Sequence, residues 1–212
     1  MRTSLILSRH GQTVWHRENR YAGGSSDIDL TEVGHQQARA LGAWTAQNRP
    51  DAIYCSPVRR ALETAAPSLA ELGVEARVLE GLRELDFGVA EGRTLAELDA
   101  ELPEVAAGFR RDPVRNPLPG GESPELAADR GAAAFRTIAS EMPGGAVLVV
   151  AHNTLIRVTL CRLLGLPVSR YREILPRLDN GTLTTISLPV SGTGGAALLS
   201  LNVPLALEIG SH

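Results

Sequence analysis

A three-layer α/β fold, with a mostly parallel central sheet flanked by helices, is predicted by three features of the sequence. Short apolar runs at 5–7, 51–54 and 146–150 each stop at polar residues, as buried strands do when they deliver their last residues to a sheet edge. Between them lie stretches of helical spacing with their own start and stop signals. The run Ala146 to Ala151 is almost wholly apolar, as in a central strand covered on both faces.

Taken in order, Leu5-Ile6-Leu7 runs straight into Arg9-His10-Gly11, and Gln12 to Asp29 is polar and Gly-containing, a loop bordering the strand end. Thr31 offers an N-cap, Ala38, Leu41 and Trp44 fall at helical spacing through Gln47, and Pro50 forbids continuation. Asp51 to Cys55 is the second strand. Ser56 stands where it can cap the next helix, with Pro57 at the first helical position, where a missing N–H costs nothing. That helix runs to about Glu71 and ends at Gly73.

Val74 to Leu79 alternates apolar and polar side chains, the period of a third strand, and Gly81 to Arg93 is loop. From Thr94 to Pro119 short helical pieces are interrupted by Pro103, Pro113 and Pro117, a composition poor for a core and good for a lid. The expectation is one domain over 1–212 with a lid-like segment at about 92–123. Ser123 caps a further helix with Pro124 at its first position, reaching about Met142 before Pro143-Gly144-Gly145. After the central strand and His152, Leu155 to Leu164 is an apolar-rich helix closed by Gly165 and Pro167. Asn180-Gly181 is a turn, and Thr182 to Leu188 and Ala196 to Val203 read as two strands joined by the Gly-rich turn Ser191 to Gly195.

Composition narrows the function. A chain of 212 residues can bury a full core. Its 21 basic against 24 acidic residues create no overall field for nucleic acid or an anionic membrane. No stretch approaches the ~18 consecutive apolar residues of a membrane span, and the apolar run after Met1-Arg2-Thr3-Ser4 is far shorter than a secretory core. Cys55 and Cys161 read as buried reduced thiols, which suits the cytoplasm.

The chemistry starts at Arg9-His10-Gly11, where a guanidinium, an imidazole and a glycine suit a tetrahedral oxyanion such as phosphate. Three later stretches have the same character: Cys55-Ser56-Pro57-Val58-Arg59-Arg60-Ala61, Leu82-Arg83-Glu84-Leu85-Asp86-Phe87-Gly88 and Val150-Ala151-His152-Asn153-Thr154. In this order they resemble the histidine phosphatase superfamily, also called phosphoglycerate-mutase-like, over about residues 3 to 189. The resemblance implies that fold and a set of roles.

His10 is then the nucleophile that carries the phosphoryl group, and Arg9 and Arg60 grip the phosphoryl oxygens. Arg60 is preferred to Arg59 because the family's arginine stands directly before Ala in Ser-Pro-x-x-Arg-Ala. Protonated His152 donates from the opposite side. Glu84 protonates the leaving oxygen, with Glu80 and Asp86 in reserve. The chain departs from the pattern twice. His16 stands where relatives carry Asn, so its phosphate contact is expected to need a protonated ring and to fade as pH rises. Asn153 stands where Gly is common, and its backbone N–H at a helix start can bind phosphate equally.

No metal-ligand cluster is visible, so basic side chains are expected to replace a metal, and no cofactor is called for. The expected activity is hydrolysis of a small phosphomonoester. A bisphosphoglycerate-dependent mutase and a non-catalytic binding member are the alternatives. Neither nucleic acid nor membrane is an expected partner, the identity of the substrate is open, and so is a homodimer.

Overall fold

The computed structural model describes residues 1–191 and 194–205. Residues 192 and 193 of the expected Ser191–Gly195 turn lie outside the described residues. Six strands, β1 (Arg2–Arg9), β2 (Ala52–Cys55), β3 (Arg77–Val78), β4 (Ala146–Ala151), β5 (Leu183–Pro189) and β6 (Ala197–Val203), form a mixed sheet in the order β3-β2-β4-β1-β5-β6. The first four are parallel, and β5 and β6 extend the sheet antiparallel beyond β1. The parallel part is the one that carries the site.

The two-residue period of the strands divides the core. Leu5 and Leu7 of β1 and Val147 and Val149 of β4 enter one buried cluster, whereas Ile6, Leu148 and Val150 enter the other. The first cluster is closed by α6 (Pro124–Glu141) and α7 (Asn153–Leu164), which contribute Phe135, Ile138 and Leu155. The second is closed by α2 (Glu32–Asn48) and α3 (Arg59–Leu72), through Leu41, Ala61 and Ala65. Helices therefore cover both faces, as the apolar run of β4 requires.

Local chemistry moves several boundaries. Thr31 caps α2 by accepting from the Gly34 N–H at 3.1 Å, as its position predicts. Ser56 does not cap α3, which starts at Arg59 after Val58; the Ser56 hydroxyl is used elsewhere. The third strand shrinks to Arg77–Val78, an exposed edge pair. The loop after His10 contains a short helix, α1 (Val14–Glu18). Pro124 opens α6 as expected, yet Ser123 makes no side-chain cap.

The segment 92–123 holds α4 (Leu95–Glu101) and α5 (Pro103–Arg111). Its proline-broken pattern suggests little core, but Leu98, Ala106, Phe109 and Leu118 bury one another with Ala90 in a third cluster. Tyr21 and Phe87 pack against that cluster from the first loop and the Glu84 loop.

Candidate active site

Parallel pairing sets Arg9 opposite Ala151 and Cys55 beside Val150, so β1, β2 and β4 end on one line. The residues that follow, His10, Ser56 and His152, meet at the carboxyl edge of the sheet, where open α/β folds hold ligands. Gly11 is required here because a Cβ would stand 2.6 Å from the Gly34 carbonyl oxygen. Its N–H donates to Thr64 Oγ1 on α3 at 2.9 Å, and Asn180 Nδ2 donates to the His10 carbonyl at 2.8 Å. The predicted Asn180-Gly181 turn thus anchors the strand end from the other side.

Hydrogen bonding selects the tautomer of His10. Its Nδ1 lies 2.8 Å from the Gly11 carbonyl, which can only accept, so Nδ1 carries the proton and Nε2 the lone pair. Arg60 Nε donates to that lone pair at 3.3 Å. Burial first, then Arg60 and the other nearby cationic groups, hold the His10 pKa well below its ordinary value. The ring is therefore a neutral base with its lone pair in place, as a nucleophile requires.

Arg60 is 0% exposed. Its guanidinium does not stand as a free fork: Nη1 donates to the Ser26 carbonyl, and Nη2 to those of Ala22 and Gly23. These carbonyls compensate a buried charge that would otherwise be costly. Glu91 fixes the carbonyl loop by accepting from the Gly23 N–H at 2.9 Å, from Ser26 Oγ and from the Phe87 N–H. Arg59 points outward and pairs with Asp29 and Glu63.

His152 is fully buried, its ring centroid 5.1 Å from that of His10. Ser56 Oγ accepts from the Val58 N–H and lies 2.7 Å from His152 Nε2. His152 Nδ1 is buried without a partner among the described residues. Burial, then Arg60 and Arg9, keep the His152 pKa well below its ordinary value. The direction of this shift runs against the protonated donor expected from the sequence.

Glu84 is 5% exposed and lies across the start of α7. Oε1 accepts from the Leu85 and Leu155 N–H groups, and Oε2 from that of Thr154. Those three bonds favour the carboxylate, yet burial outweighs them and raises the pKa. A buried, upward-shifted carboxyl beside the nucleophile has the character of a proton donor. Glu80 instead pairs with Arg83 at the surface, and Asp86 accepts from the Gly88 N–H. Asn153 begins α7 and spends its side chain on the Leu178 N–H at 3.1 Å. Its own N–H, at the positive end of the helix, has no acceptor among the described residues.

Arg9 donates through Nη1 to the Leu178 carbonyl, and its Nε is buried without a partner. Burial lowers its pKa to about 10, which leaves it cationic at pH 7. His16 stands beside it, Nε2 against Arg9 Nη2. Its Nδ1 accepts from the Thr13 N–H at 3.0 Å as part of a capping box at α1. Nε2 faces Arg9 Nη2, which can only donate, and so accepts from it, while Nδ1 lies against both the N–H and the Oγ1 of Thr13. Burial, then Arg9 and Arg60, pull its pKa down to about 3. The unliganded ring is thus neutral, and the protonated contact expected from the sequence is one made with phosphate bound.

Arg9, His10, His16, Glu84 and Asn153 border a pocket of ≈ 240 Å³ that also takes in Arg20, Tyr21, Phe87, Arg157, Tyr171 and Arg172, with Arg60 and His152 buried behind His10. No residue of 92–123 lines it; that segment reaches it indirectly, through Phe109 under Tyr21 and Arg172. The sequence alone marks Asn180 only as a turn residue and does not single out Glu91, Arg157 or Arg172. A usable signal existed for Arg157, a charge in an apolar helix one turn beyond Asn153.

Residues 5–202 match the family described as histidine phosphatase superfamily (branch 1). The chain is 33% identical over 190 residues to glucosyl-3-phosphoglycerate phosphatase of Mycobacterium tuberculosis, covering 86% of this chain and 84% of that protein. It is 31% identical over 188 residues to phosphoserine phosphatase 1 of Hydrogenobacter thermophilus, covering 87% and 86%. Among solved structures, a mycobacterial glucosyl-3-phosphoglycerate phosphatase superposes with a TM-score of 0.86 at 29% identity over 96% of this chain and 100% of the other.

Proposed function

The chain belongs to the histidine phosphatase superfamily, and on that premise we propose that it hydrolyses a small phosphomonoester through a phosphohistidine formed on His10. The observation that carries this reading is the tautomer of His10, with Nδ1–H tied to Gly11 and the Nε2 lone pair directed at Arg60. In the first step the Nε2 lone pair bonds to phosphorus and the ester P–O bond breaks, while the Glu84 carboxyl gives its proton to the departing alkoxide. In the second, the Glu84 carboxylate takes a proton from water, whose oxygen bonds to phosphorus as the N–P bond breaks. Phosphate leaves and both side chains return to their starting states.

The N–H donors match the charge being moved. In this reading Arg9, His16, His152 and the Asn153 amide are the groups offered to the phosphoryl oxygens. When Nε2 engages phosphorus, Arg60 Nε loses its acceptor and becomes available to a phosphoryl oxygen. The near-balanced charge supports a small-molecule substrate over nucleic acid. No helix among the described residues is long and apolar enough to cross a membrane, and the two buried free cysteines support a reducing cytoplasm. The 92–123 segment acts in this reading as a lid-like buttress behind Tyr21 and Phe87, part of a single domain.

Purified protein incubated with a panel of phosphomonoesters and a metal chelator should release free phosphate. Phosphate release that depends on added metal would contradict the reading. So would rapid isomerisation of 3-phosphoglycerate, in the presence of catalytic 2,3-bisphosphoglycerate, outpacing hydrolysis.

A further inference from the structure

Arg157 is 5% exposed and has no carboxylate partner among the described residues. Its Nε donates to the Leu175 carbonyl, its guanidinium carbon lies 4.7 Å from the centre of the Tyr171 ring, and its Nη2 is buried with no acceptor. An uncompensated buried cation with an unmade hydrogen bond is costly, and the fold tolerates it on the wall of the active-site pocket. Arg172 lines the same wall, also without a carboxylate. Its Nε donates to Tyr171 Oη and its Nη1 to the Phe109 carbonyl, each at 3.2 Å, and it stacks on Phe109. Arg20, the third arginine of the wall, is already neutralised by Glu18 and Glu97.

The position of this wall matters as much as its charge. Arg157 lines the pocket together with Arg9, His10 and Glu84, one helical turn beyond Asn153 on α7, so it stands near the reacting end. Glu84 is the group that protonates the leaving oxygen, so what lies beyond it is the leaving group. We propose that Arg157, assisted by Arg172, binds a carboxylate on the alcohol portion of the substrate, making the preferred substrates phosphomonoesters of small hydroxy acids. A guanidinium edge fits a carboxylate, and the aromatic faces of Tyr171 and Phe109 hold the two planes in position. A pocket of ≈ 240 Å³ lies below the ~300 Å³ at which sites for drug-sized molecules begin, which suits a short carbon chain.

This assignment rests on the phosphatase reading, and matched substrates separate the two. O-phosphoserine differs from phosphoethanolamine, and 3-phosphoglycerate from glycerol 3-phosphate, by the carboxylate. Wild-type kcat/KM should favour the carboxylated member of each pair by roughly tenfold or more, the size of one charge-assisted hydrogen bond. In Arg157→Gln and in Arg172→Gln that ratio should fall towards one, mainly through KM. Arg172 is only part-buried, so its variant keeps the test readable if Arg157→Gln folds poorly; inorganic vanadate inhibition reports whether the phosphoryl cradle is intact in each. Equal rates on both members of the pairs, with p-nitrophenyl phosphate still hydrolysed, would overturn this proposal alone. Variants that lose both members in equal proportion would also overturn it, as would preference for a bisphosphate over the carboxylates. Failure to hydrolyse any ester would instead remove the phosphatase reading.

Discussion

Replacing Glu84 with Gln separates its two duties. The carboxylate accepts three backbone N–H groups, two at Oε1 and one at Oε2, and it is placed to give a proton to the leaving oxygen. An amide keeps the Oε1 bonds but turns an NH₂ towards the Thr154 N–H. One buried donor is left unsatisfied, which should cost about 1–3 kcal/mol of folding stability in urea unfolding. The rate effect should be larger and selective. Loss of a general acid costs about 10²–10⁴-fold where the leaving alkoxide is poor, and little for p-nitrophenolate.

Comparing kcat/KM on an alkyl phosphate and on p-nitrophenyl phosphate isolates phosphorylation of His10, because kcat/KM extends only to the first irreversible step. Burial raises the Glu84 pKa above 4.5, so the acid form should be lost as pH rises through that raised value, and wild-type alkyl kcat/KM should decline there. The variant should show no such decline. The same shift makes the stability due to Glu84 greatest below 4.5 and lost as pH rises through the folded value, so the variant's stability deficit should narrow with pH. Equal losses on both esters, or an alkaline decline that survives the substitution, would refute the assignment.

Acid stability should report the neutral histidines. His10, His16 and His152 all have folded pKa values below 6.5, so the stability they contribute is present above 6.5 and lost as pH falls towards the folded values. The slope in urea unfolding should approach about 1.4 kcal/mol per pH unit for each, and one histidine's share should vanish in His10→Gln. Glu91→Ala should lower kcat/KM on alkyl and aryl esters alike by about tenfold to a hundredfold, by releasing the carbonyls that aim Arg60. In an Arg60→Ala background the same change should cost almost nothing, and additive losses would separate Glu91 from Arg60. His16→Asn should keep most activity and leave the pH profile above about pH 4 unchanged, while His16→Ala weakens vanadate binding; superimposable binding in the alanine variant would place His16 outside the cradle.

The parts of this structure written in local pattern were legible from the residues. The apolar run 146–151, the Thr31 cap and the Asn180-Gly181 turn each depend on near neighbours, and each stands where expected. Strand ends that converge in a parallel sheet made Arg9, His10 and His152 legible as neighbours, whereas Arg60 and Glu84 were legible only through the resemblance to the histidine phosphatase superfamily. What escaped depends on distant partners. Ser56 has the look of a cap, but a histidine 96 positions away claims its hydroxyl. The carbonyl clamp on Arg60 comes from residues 34 to 38 positions earlier in the chain. The 92–123 segment reads as core-poor because prolines break its helical pattern, yet Phe87 just before it and Tyr21, far off in sequence, pack against its cluster. The surroundings of His16 could not be read without Arg9 Nη2 and Thr13, which face its two ring nitrogens.

The central claim is that His10 Nε2 bonds to phosphorus, and trapping that bond tests it most directly. Protein mixed with a ³²P-labelled phosphomonoester and quenched in alkali within the first turnover should carry label that is stable to base and released by acid, as phosphohistidine is, and His10→Ala should carry none. Label that persists in His10→Ala, or that withstands acid as a phosphoserine would, would contradict the account.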